Sequence, residues 1–301
     1  MHGGMLSACI FTRTPPNGHH SPRMSQIRQP SNDYDTATSI SKLLEIIKRW
    51  RKEQHNPYYG YHSRAWYRGQ GNATHEMLPG VYRQKFTDRA KNIEPTTWSL
   101  EDKRLKLERE SLNDFRTAGA PHFNADDVVE VYFTAQHYGM HTRLLDWTTN
   151  PLAALFFAVT QNPNQNGAVF VMAPTKLLPQ PKNKEDLWPQ ILSMRDGYAK
   201  DAIGESFWHE PKTKRKPLIL PIRPDNQYGR IGQQGSCFTL HMHHSVSRDN
   251  PTLSRIMVPH DKKTSMLEDL HRLNVNQFTI YNDLESLSQE IRRTWNTSQE
   301  N

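Results

Sequence analysis

The sequence predicts an α+β fold, a single domain in which helices flank a mixed or antiparallel sheet, and three observations carry that prediction. Short β-prone runs recur along the chain, helix-period segments of unequal length separate them, and the two kinds do not alternate steadily as a doubly wound parallel sheet would require. No internal repeat breaks this order.

Residues 1–35 are rich in Pro, Ser, Asn, Gly and His and show no apolar period, so they read as a disordered tail ahead of a domain at 36–301. Ile40, Leu43, Leu44, Ile47 and Trp50 recur at helical spacing, with Thr38 or Ser39 placed to cap the start. Ala65–Arg68 is a short strand closed by Gly69. Two helices follow: Glu101–Ala118, with Leu105, Leu112 and Phe115 inward, and Asp126–Tyr138, which turns Val128, Val129, Val131, Tyr132 and Phe133 inward. Thr142–Trp147 is a short, partly apolar strand, and Asn150 and Pro151 then supply the cap and first-turn proline of a helix over Pro151–Thr160. That helix is apolar on nearly every face and must be buried.

Further strands are predicted at Ala168–Met172, Leu218–Ile222, Cys237–His241 and Leu253–Val258. Between the first two of these, residues 174–216 are rich in Pro, Lys and Asn and read as an excursion from the domain. Asp261 is placed to cap a helix bearing Met266, Leu267 and Leu270. Leu284, Leu287, Ile291 and Trp295 mark a final amphipathic helix.

Bulk properties narrow the function classes. The 301 residues are polar, with 35% hydrophobic residues, but 10% are aromatic, which suits a folded body with polar loops. Two cysteines, Cys9 and Cys237, exclude a disulfide framework. The longest apolar run, Pro151–Val159, is under half the roughly 20 residues a membrane span needs, and no charged-then-apolar leader opens the chain, so a cytoplasmic protein is expected. A net charge of +7 favours phosphate-bearing partners, either nucleotide or nucleic acid. The basic runs Lys48–Lys52 and Lys212–Lys216 would carry a nucleic-acid interface, or serve as solvated surface. Nothing in the sequence speaks to oligomeric state.

The densest chemistry lies in Gln136–Thr148. A loop and short strand there lead into a helix N-terminus, where backbone N–H groups and the dipole favour an anion. Arg143 could grip that anion bidentately, and Tyr138 or Trp147 could stack on a flat ring. The structural alternative pairs a buried Asp146 with Arg143, lets Asp146 or Thr148 cap the following helix, and puts Trp147 in the core. No metal site is expected, because His137 and His141 lack an intervening Glu and Gly139 separates them; His241, His243 and His244 read as surface histidines. In Tyr67-Arg68-Gly69-Gln70-Gly71, an arginine ends a strand beside glycines that would let a phosphate approach the backbone.

Trp66–Gln70, Leu78–Arg83, Gln136–Thr148 with Asn150–Ala158, Gln233–His241 and Tyr281–Leu284 together resemble the FRG domain in order and spacing over about residues 38–295. The resemblance implies a bacterial or phage-associated intracellular protein. The order of these pieces is also similar to the ADP-ribosyltransferase arrangement. That similarity implies NAD as substrate, with Arg68 and Gly69 at the dinucleotide phosphates and Thr142 or Thr148 bracing the nicotinamide pocket. It implies Gln233 where such enzymes carry a late glutamate. His137, Tyr138, Arg143 and Trp147 would complete the cofactor-binding wall. A neutral Gln233 can hold a ribose hydroxyl but cannot offset developing positive charge, so Asp146 is the candidate for that charge, with Thr148 beside it. The expectation is an ADP-ribosyltransferase or NAD glycohydrolase, against a non-enzymatic nucleotide sensor or a nucleic-acid-binding module.

Overall fold

The computed structural model describes residues 35–53, 65–178, 191–194, 197, 200–201, 203–204, 219–223, 235–242 and 253–297. The described residues fall within one compact unit, Tyr34–Asn301. Nearly all of the expected tail, most of 174–216, the basic run Lys212–Lys216, and Gln233, His243 and His244 lie outside them.

Among the described residues, eight strands form one sheet: β1 (Asp35–Thr36), β2 (Trp66–Gln70), β3 (Leu144–Thr148), β4 (Gly167–Met172), β5 (Leu192–Ser193), β6 (Ile219–Arg223), β7 (Ser236–His241) and β8 (Leu253–Val258). Their order is β1-β8-β4-β2-β3-β7-β6-β5. Pairing is antiparallel through the middle and parallel only where the two-residue strands β1 and β5 join the edges, so the sheet is mixed. Among the described residues these α-helices accompany it: α1 (Ile40–Glu53), α2 (Gln84–Lys91), α3 (Leu100–Gly119), α4 (Val128–His137), α5 (Pro151–Thr160), α6 (Lys263–Arg272), α7 (Gln277–Tyr281) and α8 (Leu284–Thr297).

Paired residues in a ladder point to the same face, so the register divides the sheet. Tyr67, Val169, Val171 and Ile256 face α1, α5 and α6, and bury Leu43, Ile47, Ala154, Leu155, Met266 and Leu270. Because Tyr67 stands opposite Thr148, the other end of the same face carries Thr148, Asp146 and Leu144. There Leu144, Phe238, Leu240, Leu220 and Ile222 pack with Leu112 of α3 and Val129, Tyr132 and Phe133 of α4. A gap remains between the two helix groups, over β2 and β3. The opposite face is closed by Trp66, Leu145, Trp147, Phe170 and Met172 with Ala73, Met77 and Ile191.

Three devices, two polar and one steric, fix this frame. Glu108, on α3, and Arg143, just ahead of β3, are both fully buried and paired at 2.9 Å. The other Glu108 oxygen accepts the Arg143 backbone N–H at 2.9 Å and the Tyr132 hydroxyl at 2.7 Å. Burial alone pulls the Arg143 guanidinium down, but the Glu108 carboxylate more than offsets this and holds it above its ordinary value. The expected Arg143–Asp146 pair is therefore corrected: Glu108 takes the arginine, and Asp146 is exposed. The second device is Lys263, whose buried ammonium donates to the carbonyls of Gly71, Gln161 and Asn162 at 2.8, 2.8 and 2.9 Å. It ties the exit of β2 to the C-terminal end of α5. Third, Gly69 lets α5 lie directly on β2, since a Cβ there would stand 1.8 Å from the Ala154 carbonyl oxygen. That contact, and not a ligand, accounts for the glycine.

Other boundaries follow local chemistry. Asn150 caps α5 through Leu152 N–H at 2.9 Å, ahead of Pro151, and Ser39 accepts from Lys42 N–H at 3.1 Å at the start of α1. Asp261 lies in a short 3-10 turn and makes no capping bond to α6, whose preceding residue is Lys262. In α1, Lys48, Arg49, Arg51 and Lys52 are exposed around a buried Trp50, and Arg49 pairs with Asp35. No helix among the described residues is long and apolar enough to cross a membrane.

His241 is fully buried, against the expectation of a surface histidine. Its Nε2 shares a 2.9 Å hydrogen bond with Thr239 Oγ1, and Nδ1 has no partner among the described residues. Burial, with the Arg68 charge added, pushes it down to about 3.

Two predictions follow from these buried groups. Glu108→Gln or Arg143→Met alone strands a charge in a dry site and should cost about 3–5 kcal/mol in denaturant unfolding, whereas Glu108→Leu with Arg143→Met should recover much of that loss. His241 stays neutral when folded but takes a proton near pH 6.5 when unfolded. Its contribution is thus full above that pH and declines as pH falls toward 3, by about 1.4 kcal/mol per pH unit. A His241→Gln variant should show a correspondingly shallower loss of stability between about pH 6.5 and 4; parallel profiles would contradict the assignment.

Candidate functional site: a charged cleft over β2 and β3

The gap between the two helix groups is a cleft of about 950 Å³. Tyr67, Arg68 and Gly69 of β2 and Asp146 and Thr148 of β3 form its floor. Gln136 and His137 at the end of α4 make one wall, Ala153 and Phe157 of α5 the other, and His75, Glu76 and Arg83 the rim.

Arg68 owes its place to a short ladder. β2 and β3 are registered at one pair, Tyr67 opposite Thr148, and beyond it Arg68 Nη1 donates to the Asp146 carbonyl at 2.8 Å. The side chain thus stands in for a backbone N–H between the strands. The same nitrogen lies 3.9 Å from Asp146 Oδ2. Arg68 is mostly buried, and its Nε has no partner among the described residues. Burial lowers its pKa, Asp146 partly restores it, and Arg83 lowers it further. Outside the lining residues, His141 stacks on Phe86 with ring centroids 5.2 Å apart. Partial burial and the charges of Arg83 and Arg89 push that histidine down. Arg83, which lines the cleft and acts on Arg68, adds positive potential there.

Asp146 presents its carboxylate to the cleft, its side chain 55% exposed. The Gln136 amide donates to both oxygens at 2.9 and 3.0 Å. Behind Gln136 stands Thr142, whose buried hydroxyl donates to the amide oxygen at 2.5 Å and accepts from Leu144 N–H at 3.1 Å.

Of the residues picked from sequence, Arg68, Gly69, His137, Asp146, Trp147 and Thr148 meet at the cleft, and Thr142 backs it through Gln136. Thr148 is mostly buried and accepts Asn150 N–H at 3.0 Å. It sits on the floor and does not cap α5. Trp147 is 3% exposed and donates its Nε1–H to Thr239 at 3.0 Å, so its ring belongs to the core and cannot stack on a ligand. Arg143 is committed to Glu108, and Tyr138 points to solvent at 69% exposure, so neither lines the cleft. The α5 N-terminus is capped by Asn150 and offers no ready anion seat. Gln233 lies outside the described residues; Ser236, on the strand it leads into, lines the cleft. Sequence reasoning did not single out Gln136 as a site residue, although it opened the run that drew attention. It also missed Glu108, Arg83 and Phe157.

Among the described residues no group of His, Cys, Asp and Glu could hold a metal ion. Cys237 is buried, which pushes its thiol up to about 12 and leaves it a poor nucleophile.

No curated protein and no solved structure matches the chain. Residues 63–167 match the family model of the FRG domain. That stretch runs from just ahead of β2 to the first residue of β4 and takes in Arg68, Gln136, Thr142 and Asp146, so the part of the chain similar to the FRG domain holds most of the candidate site.

Proposed function

We propose that the cleft binds a nucleotide, with NAD as the candidate substrate and ADP-ribosyl transfer or NAD hydrolysis as the reaction. One observation carries this reading: a mostly buried arginine and an exposed carboxylate stand 3.9 Å apart on the floor of a 950 Å³ cleft. A phosphate and a ribose are neighbours in every nucleotide, and a cation beside an acceptor suits that pair. Arg68, with Arg83 at the rim, neutralises phosphate. Phe157 offers an aromatic edge for a ring.

In the reaction the bond between ribose C1 and the nicotinamide nitrogen breaks, and its electron pair leaves with neutral nicotinamide. Positive charge then develops on the ribose. Asp146, held in place by Gln136, supplies the opposing negative charge that Gln233 lacks. Water or an acceptor adds at C1 and gives up its proton.

Calorimetric titration with NAD and chromatography of free nicotinamide test this directly. Arg68→Ala should weaken binding by about 1.5–3 kcal/mol, the scale of a charge-assisted hydrogen bond. Asp146→Asn should lower nicotinamide release by about a hundredfold, far more than it weakens binding. Saturable binding with no release would assign a sensing role in place of catalysis, and no binding would sink the nucleotide reading.

A further inference from the structure

The hydrogen bonds behind Asp146 admit one consistent direction. A carboxylate only accepts, so the Gln136 NH₂ group must face it, and both Asp146 oxygens are engaged. The Gln136 carbonyl end then needs a donor, which the Thr142 hydroxyl provides at 2.5 Å. Thr142 can spare that proton because its own lone pair is met by Leu144 N–H, a backbone group fixed at the start of β3. The orientation of a half-exposed carboxylate is thereby set by main chain.

We propose that Thr142 and Gln136 form a positioning relay that makes Asp146 the recognition group for an unphosphorylated ribose diol beside a phosphate held by Arg68. This rests on the nucleotide reading above. The remaining lone pairs of Asp146 open onto the cleft and accept only, so the ligand group there must donate. Two neighbouring hydroxyls fit that demand, while a phosphate on the same ribose would meet a fixed negative charge. The 3.9 Å between Arg68 Nη1 and Asp146 Oδ2 lets a single small ligand reach both groups.

The test uses the full chain and three probes: AMP, 2′-deoxy-AMP and adenosine 2′,5′-bisphosphate, titrated calorimetrically. The wild type should bind AMP about tenfold more tightly than 2′-deoxy-AMP, and the bisphosphate no better than the deoxy compound. Thr142→Val should shrink this preference to within about twofold, and Thr142→Ser should keep it. The order of the two variants separates relay from packing. Thr142 is fully buried, so valine fills its space and serine leaves a methyl-sized void. A packing role would make serine the worse substitution, and melting temperatures record that effect separately. If wild-type protein binds AMP and 2′-deoxy-AMP alike, the diol inference falls and the nucleotide site stands. If valine and serine variants discriminate equally, the relay falls. Binding of none of the probes, nor of NAD, removes both this inference and the reading beneath it.

Discussion

The buried carboxylate of Glu108 is the constraint on which the candidate site depends. It gathers the Arg143 guanidinium, the Arg143 backbone N–H and the Tyr132 hydroxyl, and so joins α3, α4 and the entry to β3 at one point. A charge at zero exposure is tolerable only when fully partnered, and a directed set of partners is also a set of positions. Thr142 is the neighbour of Arg143 in the chain, and Gln136 lies one turn beyond Tyr132 on α4. Fixing Arg143 against Tyr132 therefore brings Thr142 to Gln136, and Gln136 to Asp146.

On the other side of the cleft, backbone packing sets the geometry. Gly69 allows α5 to touch β2, Gly71 does the same for the end of that helix, where a Cβ would lie 2.3 Å from the Gln161 carbonyl oxygen, and Lys263 collects the carbonyls left there. β2 therefore follows α5 while β3 follows α4. The two strands meet at a single registered pair, and the cleft lies over that junction. Arg68 bridges it by donating to the strand it cannot reach with its backbone.

Much of the fold was legible in the sequence because periodicity and capping are local. Pro151–Thr160 and Leu253–Val258 are found at the expected residues, and Asn150 caps as its type suggests. What escaped depended on distance. Glu108 sits among the many charges of α3, and nothing adjacent marks it as a partner for a residue 35 positions later. A signal did exist: it falls between Leu105 and Leu112 on the inner stripe of that helix, where a charge must find a partner. Asp146 was expected to be buried because Arg143 is near in sequence. Tertiary contacts separate them, since Arg143, just ahead of β3, is taken by Glu108 of α3 while Asp146, within the strand, opens onto the cleft. The glycines of β2 were assigned to a ligand because a helix lying on the strand is a tertiary fact. α2 and α7 were not expected at all, being short and weakly apolar.

The two arginines nearest the site show how burial separates structure from candidate function. Arg143 is fully buried, paired with a fully buried carboxylate, and held above its ordinary value. Arg68 is nearly as buried, yet the carboxylate beside it is turned to the cleft and engaged by Gln136; its Nε lacks a partner among the described residues, and burial holds its pKa down. Packing can account for the first arrangement, because all of its terms close within the core. It accounts for only part of the second: the bond to the Asp146 carbonyl joins the two strands, but an incompletely compensated cation on a cleft floor costs stability that an apolar side chain would not. An anion entering the cleft would repay that cost. Imperfect compensation at Arg68, set beside full compensation at Arg143, is therefore what favours the proposed ligand on the positive side of this cleft.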